Sequence, residues 1–323
     1  LPKLHTLKCS NERRRSSTSN VRDSRYPPNS KPRGKKPIAE PIHLGHFFMI
    51  VIMKICRKVL LIDTSVKIGL YLMGVLIGSV ICDLYAMPRN FFSDKHNFLN
   101  QYFVKLGWGW TFSLMAAFMF MTSFVYCCGD LNKVRRHLMR LGVGTFWWYS
   151  CTNMFVFVNN AVGVCTSSSI KDSRECEKAG KSWMGFDISG HVFLLIHCLL
   201  IISEEMKCFK DWTKLKDVLN DETIAEKKRL TASEVSQART SHKQLTPLIQ
   251  INVIAITMLS LLFEFMLLIS IVYRFHTLSQ KVFAAFIAVG CWFISYRMLY
   301  RTKLDVLPCL PGECVINYYK YDL

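Results

Sequence analysis

The sequence predicts an all-α integral membrane protein, a bundle of about six transmembrane helices. Three observations predict it. Apolar residues gather in runs that approach the ~20 residues needed to cross a bilayer. Lysine and arginine fall mostly between those runs, and unevenly on alternate sides. No run shows the two-residue alternation over a length that a barrel strand would need.

The runs come first. Of the 323 residues 51% are hydrophobic, only slightly above a soluble domain, so clustering carries the argument rather than content. The spans read as roughly 66–85, 104–126, 141–164, 188–203, 248–273 and 282–300. The fourth is short and must borrow a turn from its flanks. The sixth ends in Tyr296, Arg297, Tyr300 and Arg301, the composition of an interfacial belt. Ahead of the first span, the apolar patch Phe47 to Met53 is too short to cross. Lys54, Arg57 and Lys58 follow it, so it reads as lying along the membrane surface.

Charge sets the orientation. The net charge of +18 is not gathered on one folded module, which fits anionic lipid headgroups better than nucleic acid. With the N-terminus on the cytosolic side, 31 of the 41 lysines and arginines lie on that side and 8 on the other. Both termini are therefore expected in the cytosol. The loops 86–103, 165–187 and 274–281 then share the opposite face, and 127–140 and 204–247 are cytosolic. Lys133, Arg135, Arg136 and Arg140 in one short loop make the cleanest case. Residues 1–65, rich in basic residues and proline, read as a largely disordered cytosolic segment. Residues 66–300 form the transmembrane domain and 301–323 a cytosolic tail.

The 13 cysteines are scattered without a CxxC pair, which excludes a zinc ribbon. Cys165 and Cys176 share one non-cytosolic loop, where a disulfide is chemically reasonable. Cys127 and Cys128, at a cytosolic helix end, are candidates for palmitoylation or simple interfacial filler. Glu264 and His197 lie inside spans, where ionisable groups invite functional suspicion. Glu264 is roughly 18 Å along a helix from His276, too far to touch a group reacting there.

Two stretches on the non-cytosolic face carry candidate chemistry. In Phe186-Asp187-Ile188-Ser189-Gly190-His191, Asp187 or Ser189 can cap the fourth helix, and Gly190 permits close approach to the backbone. A helix start favours a phosphate, with His191 beside it. In Arg274-Phe275-His276-Thr277-Leu278-Ser279-Gln280-Lys281, Thr277 and Gln280 have capping-box spacing for the sixth helix. Two histidines near cations suit phosphoryl transfer, one as nucleophile and one as proton donor, with no metal or other cofactor required. The competing reading is ordinary interfacial residues.

Those two stretches resemble signature stretches of the fat-storage-inducing transmembrane (FIT) proteins. So do Phe98-Leu99-Asn100-Gln101-Tyr102-Phe103-Val104-Lys105-Leu106, followed by Trp108, Trp110 and Thr111, and Glu204-Glu205-Met206. The resemblance runs from about residue 66 to 300 with the motifs in order. It implies an endoplasmic reticulum protein with six spans, both termini cytosolic, that supports lipid droplet formation. It implies hydrolysis of fatty acyl-CoA at the diphosphate on the lumenal side, with His276 as nucleophile and His191 protonating the leaving group. The family is similar to lipid phosphate phosphatases, but here Ile188 stands where those enzymes carry proline, and Gln280 where they carry an aspartate. A clear Lys-x6-Arg-Pro motif is missing too. Ser189, Gly190, Lys281, Arg274 and Lys105 are the expected substrate-binding residues. Membrane lipids, including neutral lipid and diacylglycerol, are the other expected partners. Two rival readings are a non-catalytic protein that partitions triglyceride or diacylglycerol into droplets and a general lipid phosphate phosphatase.

Overall fold

A computed structural model describes residues 44–85, 88, 91, 97–166, 172–220, 230–273, 276–302, 307–312 and 314–316. The basic segment before residue 44, and Arg274, lie outside them. All described residues belong to the unit Leu44–Leu323.

The protein is an all-α integral membrane protein. Its helices are α1 (Leu44–Leu60), α2 (Thr64–Leu84), α3 (Gly107–Tyr126), α4 (Leu131–Val162), α5 (Ser173–Lys178), α6 (Gly190–Glu205), α7 (Trp212–Asn220), α8 (Ala232–Val272) and α9 (Leu278–Phe293). A π-helical turn, Leu99–Val104, precedes α3, and α9 runs on through a second π-helical turn to Arg301. One two-residue strand pair is present among the described residues: β1 (Val164–Cys165) antiparallel to β2 (Trp183–Met184). By length and composition, α2, α3, α8 and the Leu278–Arg301 helix are able to cross a membrane. In α4, 32 residues long, the first turns carry Lys133, Arg135, Arg136 and Arg140, which makes it less apolar than its length alone suggests. The 16 residues of α6 span about 24 Å.

Packing orders these helices. From Val192 to Glu205 every residue of α6 is buried, so α6 is the central post of the bundle. It is apolar all round because neighbours cover every face. By contrast α2 exposes Val66, Leu70, Met73, Ile77 and Val80, a surface suited to lipid. Cross-contacts fix direction. Tyr71 donates to Glu264 Oε1 at 3.2 Å and Cys82 Sγ lies on the Val272 carbonyl, so α2 and α8 run parallel. Phe155 meets Phe193 edge-on, while Arg140 meets Glu205, so α4 runs antiparallel to α6. The Ser189 amide meets the Gln280 carbonyl while Trp292 and Tyr296 bond to Glu204 and Glu205, so α9 runs parallel to α6. The starts of α6 and α9 and the ends of α2, α4 and α8 thus gather at one end. Glu204 and Glu205 mark the other.

That second end holds a buried polar lock. Arg140 grips Glu205 with two bonds of 2.7 Å and both side chains are only 2% exposed. Tyr296 donates to the same carboxylate at 2.8 Å, and Arg140 also reaches the Cys309 carbonyl at 3.0 Å. Glu204 accepts from Trp292 and pairs with Lys207.

Three departures from the sequence reading have physical causes. The apolar patch at Phe47 to Met53 extends to a 17-residue helix, because Arg57 finds the Phe209 carbonyl and the Phe209 ring. The fifth span starts much earlier, at Ala232. A reciprocal capping box between Thr231 and Glu234 nucleates it, and Pro247 inside it does not break it. The 204–247 segment, which the sequence places as a cytosolic loop, packs on the bundle: Trp212, Leu215 and Leu219 of α7 are buried, and Trp212 stacks on His242.

A candidate active site at two converging helix starts

The hairpin after α4 builds one side of the site. β1 and β2 pair, Cys165 and Cys176 are joined by a disulfide with Cα atoms 6.0 Å apart, and Trp183 donates to the Asn159 carbonyl at 3.2 Å. The chain leaving β2 passes Phe186 and Asp187 and enters α6 at Ser189. Phe186 meets Phe283 of α9 edge-on, with centroids 5.7 Å apart. The Ser189 amide donates to the Gln280 carbonyl at 3.3 Å. These contacts lay the start of α6 against the start of α9.

His276 stands where they meet. Its Nδ1 lies 3.0 Å from the Asp187 carbonyl and 3.6 Å from Asp187 Oδ2. Both partners only accept, so Nδ1 carries the proton and Nε2 is the ring's lone-pair nitrogen. The imidazole is largely buried while Asp187 is mostly exposed. His191, half-buried in the first turn of α6, follows Asp187 by four residues. Both histidines therefore sit at the same end of the bundle.

The cradle between them has two unusual members. Ser189 is the N-cap of α6 and 1% exposed, yet its side chain makes no cap bond. Its Oγ has no hydrogen-bond partner among the described residues. A buried hydroxyl in that state calls for an explanation such as a ligand. Gly190 has an ordinary negative φ, and a Cβ built there meets nothing within 4 Å. Glycine is thus not needed for the fold at this point, and the space beside the backbone is open. The first turns of α6 and α9 bring backbone N–H groups and the positive ends of two helix dipoles to this end of the bundle.

The expected cations are placed differently. Lys281 is 1% exposed and donates to the carbonyls of Ile271 at 2.7 Å and Tyr273 at 3.1 Å. It closes the end of α8 and ties it to α9. Lys105 is exposed at the turn before α3. Thr277 receives its cap from Gln280 Oε1 at 2.9 Å, which explains glutamine at a position where a phosphatase would place its orienting aspartate. The acceptor beside His276 Nδ1 is Asp187, which the sequence suggests only as a helix cap. His197 is enclosed by Phe193 and Trp108 and bonded to the Gly144 carbonyl, and Glu264 by Tyr71. Both belong to packing away from the two histidines.

The family model of the fat storage-inducing transmembrane protein (FIT) matches residues 88–163 and 156–296. A Drosophila melanogaster protein named acyl-coenzyme A diphosphatase FITM2 is 33% identical over 302 residues, covering 90% of this chain and 71% of its own. The chain belongs to the FIT family. The Homo sapiens protein of the same name is 34% identical over 253 residues, covering 76% of this chain and 86% of its own. That of Caenorhabditis elegans is 31% identical over 268 residues, 82% of this chain and 89% of its own. No solved structure matches. The second stretch matched by the FIT model contains both His191 and His276, together with Asp187, Ser189 and Gly190.

Proposed function

We propose that this FIT protein is a fatty acyl-CoA diphosphatase of the endoplasmic reticulum membrane, working on the lumenal side with both termini in the cytosol. In this reading α4 and α6 also cross the bilayer, giving six spans with α2, α3, α8 and α9. Its relatives carry the name of that activity. The observation that carries the reading is the 3.0 Å contact between His276 Nδ1 and the Asp187 carbonyl. A carbonyl on Nδ1 presents Nε2 as a nucleophile beside two helix starts suited to an anion.

The chemistry proceeds in two steps. His276 Nε2 attacks one phosphorus of the diphosphate and the bridging P–O bond breaks. His191 gives a proton to the departing oxygen. Asp187 stabilises the positive charge that builds on the His276 ring. Water then attacks the phosphorus on His276, His191 takes the proton, and the ring is released. The products are acyl phosphopantetheine and adenosine bisphosphate. Ser189 Oγ and the amides near Gly190 hold the phosphoryl oxygens, with Arg274 and Lys105 drawing the polyanion in and Lys281 holding the start of α9 in place. The acyl chain remains among the helices. The Cys165–Cys176 bond supports the lumenal placement, since that compartment is oxidising. Lipid droplet formation and exchange with neutral lipid and diacylglycerol follow as the physiological setting.

Purified protein given oleoyl-CoA is expected to release adenosine bisphosphate and acyl phosphopantetheine in equal amounts. Free fatty acid with intact CoA, or much faster release of phosphate from phosphatidic acid, would replace this reading by a thioesterase or a lipid phosphatase. Lipid binding without any product would leave a partitioning protein.

Gly190 supplies a second test. Gly190→Ala is expected to keep the thermal midpoint, because the added methyl enters open space. Turnover should fall at least about tenfold, because that space is where the phosphoryl group must sit. Undiminished turnover would place the substrate elsewhere.

A further inference from the structure

The end of the bundle opposite His191 and His276 holds a second group of reactive side chains. Cys127 closes α3, His137 lies in the second turn of α4, and Cys314 comes from the segment after α9. Their ligand atoms all lie within 4.8 Å of one another. Cys127 Sγ is 2.7 Å from Cys314 Sγ, and Cys314 Sγ is 2.8 Å from His137 Nε2. The segment carrying Cys314 is itself docked. The Ile316 amide donates to the Tyr126 carbonyl at 3.1 Å, and Arg140 holds the Cys309 carbonyl.

Two thiols and an imidazole invite a soft metal ion, but the protonation of His137 argues otherwise. Arg140 Nη1 lies 2.8 Å from His137 Nδ1. A guanidinium only donates, so Nδ1 accepts and the ring proton sits on Nε2. Nε2–H therefore points at Cys314 sulfur. A metal ion on Nε2 would need that proton moved to Nδ1, against the arginine. Desolvation and the sulfurs of Cys127 and Cys309 hold the Cys314 thiol well above its usual pKa, against the pull of the Arg140 guanidinium, so the arrangement favours pairing of two sulfurs already in contact over a standing thiolate. Exposure points the same way. Among the described cysteines outside the Cys165–Cys176 bond, Cys314 is half-exposed and the other nine are buried. Burial of Cys127 and Cys128 also removes the palmitoylation suggested by their position in the sequence.

We propose that Cys314 is an oxidation-sensitive thiol that closes a disulfide on Cys127, using a small disulfide such as an oxidised low-molecular-weight thiol. The Cys314 thiol loses its proton and attacks one sulfur of the small disulfide, and one small thiolate leaves. The Cys127 thiol loses its proton and attacks Cys314 sulfur in the mixed disulfide, and the second small thiolate leaves. Two protein thiols and one small disulfide become one protein disulfide and two small thiols. His137 is a positioning residue that holds Cys314 sulfur toward Cys127. The bond straps the segment after α9 to the junction of α3 and α4, at the end remote from the proposed hydrolysis.

The test is peptide mass mapping of the purified full chain after incubation with oxidised or reduced glutathione. Oxidation is expected to produce one cross-linked pair joining the Cys127 and Cys314 peptides, about 2 Da below their sum, and reduction to remove it. Cys127→Ser and Cys314→Ser should abolish it and Cys128→Ser should not. His137→Gln should slow closure at least about fivefold while leaving the wild-type melting profile of the reduced protein. Metal analysis of the same preparation decides against the rival. About one equivalent of Zn²⁺ or Cu⁺, lost in Cys314→Ser, would overturn the proposal. So would a Cys314 that reacts with glutathione disulfide and stays in the mixed form.

Discussion

His276→Ala lowers oleoyl-CoA turnover by roughly 10³-fold or more, because it removes the atom that forms the covalent intermediate. His191→Ala costs roughly 10²–10⁴-fold, the usual scale for losing a general acid. The effects of the two together fall well short of the product of the single effects, since both act on one bond. His276 bonds to a loop carbonyl and His191 stands in the first turn of α6, so both variants keep near-native thermal midpoints in detergent. Asp187→Asn has a smaller effect, since the bond to Nδ1 from the backbone carbonyl survives. Steady-state assay with a melting curve for each variant checks the set. A His276→Ala protein with more than a tenth of wild-type turnover would remove the nucleophile from the scheme.

The largest structural effect belongs to Arg140. Arg140→Ala leaves the Glu205 carboxylate buried, with Tyr296 as its remaining side-chain partner among the described residues. Breaking a buried pair from one side costs about 3–5 kcal/mol. The guanidinium joins α4 to α6 and to the Cys309 carbonyl, and the loss reaches the continuation of α9 through Tyr296 on the same Glu205 carboxylate. Arg140→Lys recovers little, since a single ammonium cannot reproduce the two-pronged grip. Arg140→Met combined with Glu205→Leu is expected to lie closer to wild type than either single change, because no charge is stranded. Thermal unfolding in detergent measures the cycle. Single variants within about 1 kcal/mol of wild type would contradict the lock.

Much of this was legible in the sequence because lipid imposes a strong rule. Backbone groups must be satisfied within each segment, so long apolar runs become helices. The run 248–273 was visible for that reason. Its extension to Ala232 was not, because Thr231, Glu234 and the polar turns after them carry a helix through capping rather than hydropathy. The start of α6 at Gly190 and the cap at Thr277 were readable from local spacing. The partnership of Asp187 with His276 was not, because it joins residues 89 positions apart through a backbone carbonyl, which no side-chain pattern encodes. Lys281 looked like a phosphate ligand by adjacency, yet it faces the carbonyls at the end of α8. Arg140 was counted as a topology signal at the edge of a loop. A charge at the rim of an apolar run, with Glu204-Glu205 closing another, was the hint of a buried pair.

The most direct trial is a rapid alkaline quench of wild-type protein turning over oleoyl-CoA, followed by peptide mapping of the phosphorus-bearing adduct. The account predicts a phosphoramidate on the peptide containing His276 and none on the peptide containing His191. An adduct on His191, or one on any other side chain while His276→Ala still forms product at the wild-type rate, would contradict it.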